Sequence, residues 1–167
     1  ILDNMDLCYG CGACENVCPK KAITMTAASD GFLYPTVNDD ECINCNLCKK
    51  VCPALNASYE NIENPEVYAV MASDEIREKS ASGGMFSLMA QYAFEKGGVV
   101  CGAAFNDDFL SVKHIMIESE TDLDKLRRSK YMQSVNGDIY TKVKDKLEEG
   151  VFVLFTGTPC QCAALKT

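Results

Sequence analysis

The chain has 167 residues, 47% hydrophobic and 24% charged, and its 24 acids against 16 bases leave a formal net charge of -8. That length accommodates one ordinary domain and a small companion, and the acidic balance excludes the basic footprint of a nucleic-acid binder. No apolar run is long enough to span a membrane and nothing resembles a secretory leader, so the 11 cysteines are expected in the reducing cytoplasm, available for metal rather than disulfides.

In chain order the first feature is a cysteine run, Cys8, Cys11, Cys14, Cys18 and Pro19, which returns 34 residues later as Cys42, Cys45, Cys48, Cys52 and Pro53. Val17-Cys18-Pro19 is repeated as Val51-Cys52-Pro53, which marks a duplicated half-module. Zinc is the chemical rival, but it favours four ligands closed locally by two C-x-x-C pairs. Here each run packs four cysteines into eleven residues and ends in proline. The spacing resembles that of bacterial two-cluster ferredoxins, in which three close thiolates hold one 4Fe-4S cubane and the fourth serves the other. The resemblance implies one cluster on Cys8, Cys11, Cys14 and Cys52, and a second on Cys42, Cys45, Cys48 and Cys18.

Between the runs, Ala22–Met25 and Phe32–Val37 flank Ser29-Asp30-Gly31, a strand, turn and strand pattern. Short helices are expected after Cys14 and Cys48. Leu7, Val17, Ile23, Ile43, Leu47, Val51 and Leu55 are the apolar residues available to shield clusters from water. A segment of this size buries little core, so metal should hold it together. It carries nine acids and four bases over residues 1–64, which suits basic partner surfaces or serves only solubility.

Residues 56–66 are polar and contain Asn64-Pro65, a linker composition. The boundary set there gives a two-cluster domain over 1–60 and a second domain over 66–167. In the second, strands are expected at Val67–Met71, 98–105, Val112–Ile117 and Val151–Phe155, and helices at 83–96 and 138–149, with Thr121 to Asp124 as a capping box between. Alternating strands and helices, with an uninterrupted apolar last strand, indicate an α/β layer. The fold class is therefore α+β: a ferredoxin-like module followed by an incomplete α/β domain. The chain begins at Ile1 rather than Met and stops at Thr167 within an expected helix, as a piece of a longer protein would.

Two loops of the second domain suit ligands. Ser80-Ala81-Ser82-Gly83-Gly84 precedes a helix, where free N–H groups and the helix dipole favour phosphate, although a plain cap and turn has the same composition. Thr156-Gly157-Thr158-Pro159-Cys160-Gln161-Cys162 leaves the carboxyl end of a buried strand, where α/β sheets place ligands. Cys160 there is a redox thiol, an extra metal ligand or a small residue at a tight turn. Thiol–disulfide exchange with Cys162 is disfavoured, because C-x-C lacks the usual two-residue spacing. Cys101 reads as core, His114 as a surface or satisfied core residue, and Arg127, Arg128 and Lys130 as a solvated face or an anion-binding cluster.

Taken together, Ser80 to Ser87, Lys96 to Phe105, Leu126 to Ser134 and Phe155 to Gln161 resemble the beta subunits of coenzyme F-420 hydrogenases and dehydrogenases, whose relatives include chlorophyll-ring reductases. The resemblance implies an FAD-containing oxidoreductase passing electrons between clusters, a redox partner protein or subunit, and an organic hydride donor or acceptor such as the deazaflavin coenzyme. It also implies a flavin site among Ser82, Gly83, Gly84, Lys130, Tyr131, Gln133, Thr158, Pro159, Cys160 and Gln161. The family continues past this chain's last residue. The alternative is a ferredoxin-like relay subunit without its own flavin.

Overall fold

A computed structural model describes residues 1–56 and 62–167. Part of the expected linker, residues 57–61, lies outside the described residues. The chain divides into two units: Ile1–Tyr59 with Val135–Thr141 and Gly157–Thr167, and Glu60–Ser134 with Lys142–Thr156.

In the first unit, α1 (Ala13–Val17) and α2 (Leu47–Lys50) are the short helices that carry Cys14 and Cys48. Between them β1 (Ile23–Ala27) pairs antiparallel with β2 (Leu33–Val37), from Ile23 opposite Val37 to Ala27 opposite Leu33. The turn is closed by Ala28 N to Phe32 O at 2.9 Å and by the Asp30 carboxylate accepting from Phe32 N at 2.9 Å. Pro35 is tolerated in β2 because a two-stranded sheet has only edges. Burial here is thin. Ala13, Cys14, Ala22 and Ile23 are buried, but Leu7, Ile43 and Leu55, expected to shield clusters, are 58%, 56% and 49% exposed. A segment with so few large side chains has no second layer to cover them.

The second unit is built on a mixed sheet of order β5-β4-β3-β6, with β3 (Val99–Phe105) antiparallel to β4 (Val112–Ile117) and parallel to β6 (Val153–Phe155). A two-residue strand, β5 (Ser134–Val135), forms the edge. The central strand is buried over Val99 to Gly102, which is why its sequence shows no polar alternation. Against β3 lie α4 (Met85–Glu95) and α5 (Leu123–Leu126). The core joins Ala90 and Ala93 of α4, Val100 and Ala104 of β3, Ile117 of β4, and Leu123 and Leu126 of α5. Alanines on the inner face of α4 let the helix sit close to the sheet.

Two further expectations are corrected. Val67–Met71 is not a strand: it pairs with no ladder among the described residues, and its tie to the fold nearby is Ala72 N donating to Gly83 O at 2.7 Å. Short apolar runs do not distinguish a strand from an extended loop. Thr121 is not a helix cap; it lies in a 3-10 turn, Glu120–Asp122, capped by Ser119, whose hydroxyl accepts from Thr121 N. The amphipathic helix, α6 (Ile139–Glu148), buries Val143 but leaves Leu147 56% exposed. A short helix α3 (Asp74–Glu78) precedes α4, and the chain ends in α7 (Pro159–Leu165), which starts with a capping box between Thr158 and Gln161.

Candidate functional site

The two cysteine runs share one local device. Gly10 and Gly12 have φ of 64° and 73°, and the residues 34 positions later, Asn44 and Asn46, have φ of 52° and 60°. Glycine and asparagine are the residue types that enter the left-handed region at least strain. Each run therefore folds back on itself in the same way and then opens a short helix, turning three thiols toward one space. The signal was present in the sequence as a Gly/Gly and Asn/Asn match at the repeat offset, and the reading by cysteine spacing alone passed over it.

Two pockets result. One is lined by Cys8, Cys11, Cys14 and Cys52, with Met25 and Pro35. The other, about 280 Å³, is lined by Cys18, Cys42, Cys45 and Cys48, with Ile23, Val37 and Leu47. The fourth cysteine of each run thus lines the pocket of the other run. Backbone N–H groups already point at sulfur, Gly10 N to Cys8 at 3.4 Å and Ala22 N to Cys18 at 3.3 Å. Burial pushes the Cys11 thiol up to about 11, opposed in part by the Ala13 N–H, and pushes Cys14 up to about 12. Metal capture at these residues must displace protons. Four cysteine thiols line each pocket, and four thiolates are the donor set that holds a 4Fe-4S cluster.

In the second unit Ser82, Gly83 and Gly84 line a cavity of about 540 Å³ with Arg127, Arg128 and Ser129. Gly83 is required by close approach: a Cβ there would lie 2.4 Å from the Val70 carbonyl oxygen. Arg127 is committed inward, its Nε donating to Ser87 Oγ at 3.1 Å and its guanidinium paired with Asp124. Arg128 is exposed and has no partner among the described residues. Lys130 and Tyr131 do not line this cavity. Lys130 Nζ turns to the Arg127 carbonyl at 2.7 Å, with burial lowering its pKa, and Tyr131 is 97% exposed. Gln133 is likewise outside the lining.

His114 is a satisfied core side chain. Its Nδ1 meets the Ser134 hydroxyl at 2.8 Å, its Nε2 meets the Thr156 carbonyl at 3.2 Å, and its ring stacks on Phe155. Cys101 is fully buried, as expected of core, and its carbonyl accepts from both N and Oγ1 of Thr156 at 2.9 Å.

Thr158, Pro159, Cys160 and Gln161 belong to the first unit. Gln161 Oε1 accepts from Thr158 N at 2.8 Å, Gln161 Nε2 donates to Asn136 Oδ1 at 2.9 Å, and the Cys160 sulfur lies 3.9 Å from the Tyr9 carbonyl. Asn136 and Tyr140 both donate to the carbonyl of Cys11, at 2.6 and 2.8 Å. The sequence reading missed these two, because an Asn-Gly pair such as Asn136-Gly137 reads as a turn and Tyr140 falls within the helix expected over 138–149.

The eight thiols of the cysteine runs sort into two pockets of four, a donor set of the iron–sulfur type. Residues 7–56 match the family described as 4Fe-4S dicluster domain, and residues 67–139 match the family described as Coenzyme F420 hydrogenase/dehydrogenase, beta subunit N-term. The chain carries a 4Fe-4S dicluster domain followed by the N-terminal domain of that beta-subunit family, and is of the electron-transfer oxidoreductase-subunit type. No curated protein matches it significantly. Among the described residues no helix is long and apolar enough to cross a membrane.

Proposed function

We propose that the chain relays single electrons through two 4Fe-4S clusters, one held by Cys8, Cys11, Cys14 and Cys52 and the other by Cys18, Cys42, Cys45 and Cys48. The observation that carries this reading is the sorting of eight thiols into two pockets of four, with one cysteine crossing each way. Anaerobically prepared protein should contain about eight iron and eight acid-labile sulfide per chain. About four iron would remove one cluster, and near-stoichiometric zinc after reconstitution with iron and sulfide would overturn the reading.

The finer proposal is that these electrons reach FAD and an organic hydride partner, with a redox protein or subunit on the other side. Bound FAD would convert between one-electron and two-electron traffic. Ser82, Gly83, Gly84 and Arg128 are the residues here suited to its phosphates, since a helix start and an unpaired guanidinium both favour anions. The resemblance adds Lys130, Tyr131, Gln133, Thr158, Pro159, Cys160 and Gln161. A relay subunit without flavin is the second reading, favoured by the hydrogen bonds that engage Gln161 and Cys160 within the unit that contains the cysteine runs. Visible absorption of the complete protein separates the two, because flavin has structured bands that clusters lack.

A further inference from the structure

The peptide carbonyl of Cys11 accepts two side-chain hydrogen bonds, from Asn136 Nδ2 at 2.6 Å and Tyr140 Oη at 2.8 Å. Asn136 is held in turn by Gln161 Nε2 on its Oδ1 at 2.9 Å. All three side chains are buried, at 6%, 9% and 5% exposure. Gly12, the next residue, has φ 73°, and a Cβ there would stand 3.4 Å from the Asn136 side chain, in contact with it. Asn16 Nδ2 donates to the Gly137 carbonyl at 2.6 Å, a second tie between the same two segments. The repeat has no equivalent on its other side: Cys45, the counterpart of Cys11, is exposed, and among the described residues no side chain donates to its carbonyl.

We propose that Asn136, Tyr140 and Gln161 are positioning residues for the first-run cluster, clamping the Cys11 peptide and thereby setting that cluster's reduction potential apart from the other's. The proposal rests on the two-cluster reading above. Reduction adds a negative charge beside the Cys11 carbonyl, whose oxygen is itself the negative end of a dipole. Two fixed donors on that oxygen draw off its negative potential, and their burial keeps water out, so they favour the reduced cluster. The duplicated cysteine run supplies the same thiols twice, and the clamp supplies the difference.

The test is a potentiometric titration of the full chain, reconstituted anaerobically and followed by EPR, with signals assigned by a Cys18→Ala variant that retains the first-run cluster. Tyr140→Phe removes one donor while keeping the ring as a plug against water. It should move the first-run cluster to a more negative potential, leave the other where it was, and leave iron content at the wild-type value. Asn136→Asp, nearly the same shape but with a donor exchanged for an acceptor, should move it further in the same direction. Unchanged potentials, equal shifts of both clusters, or iron loss with no shift in the clusters retained would overturn the proposal. Wild-type protein with no cluster on these thiols would fail the underlying reading, and would do so by iron count alone.

Discussion

Cys18→Ala tests how the two cysteine runs interlock. Cys18 lies in the same run as Cys8, Cys11 and Cys14 but lines the pocket of Cys42, Cys45 and Cys48. Its sulfur also accepts from Ala22 N at 3.3 Å, and losing that bond alone costs about 1 kcal/mol. Losing one thiolate of four should cost a whole cluster, so iron should fall from about eight to about four per chain. The effect on stability should exceed the lost hydrogen bond by roughly an order of magnitude, since structural metal sites supply about 10 kcal/mol or more. Nothing else in this segment compensates: Ile23 is its one large buried aliphatic side chain among the described residues. Hydrogen exchange should therefore show α2 losing protection while α1 keeps it, and EPR of the reduced variant should retain the cluster of Cys8, Cys11 and Cys14. Loss of that cluster, with survival of the one near Cys42, would show that each run closes on itself.

The cavity beside α4 calls for a careful choice of variant. Gly83→Ala would place a carbon against the Val70 carbonyl and should destabilise by about 1–3 kcal/mol whatever binds there. Arg128→Glu loses no hydrogen bond or ion pair among the described residues, so thermal unfolding should stay within about 0.5 kcal/mol of wild type, while FAD content of the complete protein falls; full retention of FAD would refute the phosphate placement. Leu123, fully buried in the second unit's core, should cost about 2–5 kcal/mol as Leu123→Ala in denaturant unfolding. His114 should confer a pH dependence, because burial lowers its pKa below 6.5, against the raising effect of its bond to Thr156. Below pH 6.5 the unfolded histidine takes a proton that the folded one refuses, so stability is lost as pH falls toward the folded pKa, by at most about 1.4 kcal/mol per pH unit. His114→Gln should flatten that slope between pH 7 and 5; an unchanged slope would assign the effect to other groups.

The dicluster module was legible because its chemistry is sequence-local: three thiols two residues apart must face one space, and only the crossing of Cys18 and Cys52 is long-range. The hairpin, β3, β4 and α4 were legible for a related reason, since glycine turns, buried runs and amphipathic spacing act within a few residues. Val67–Met71 failed because an apolar run becomes a strand only when a neighbour offers its backbone, and here one contact at Ala72 with Gly83 takes that place. Asn136 and Tyr140 were invisible for a deeper reason. They meet Cys11 across 125 and 129 residues of chain, and each already had a sufficient local explanation, a turn for one and a helix face for the other. A residue with a local role hides a distant one, so the donors that distinguish two identical sets of thiols emerge only once the fold has brought them to the same carbonyl.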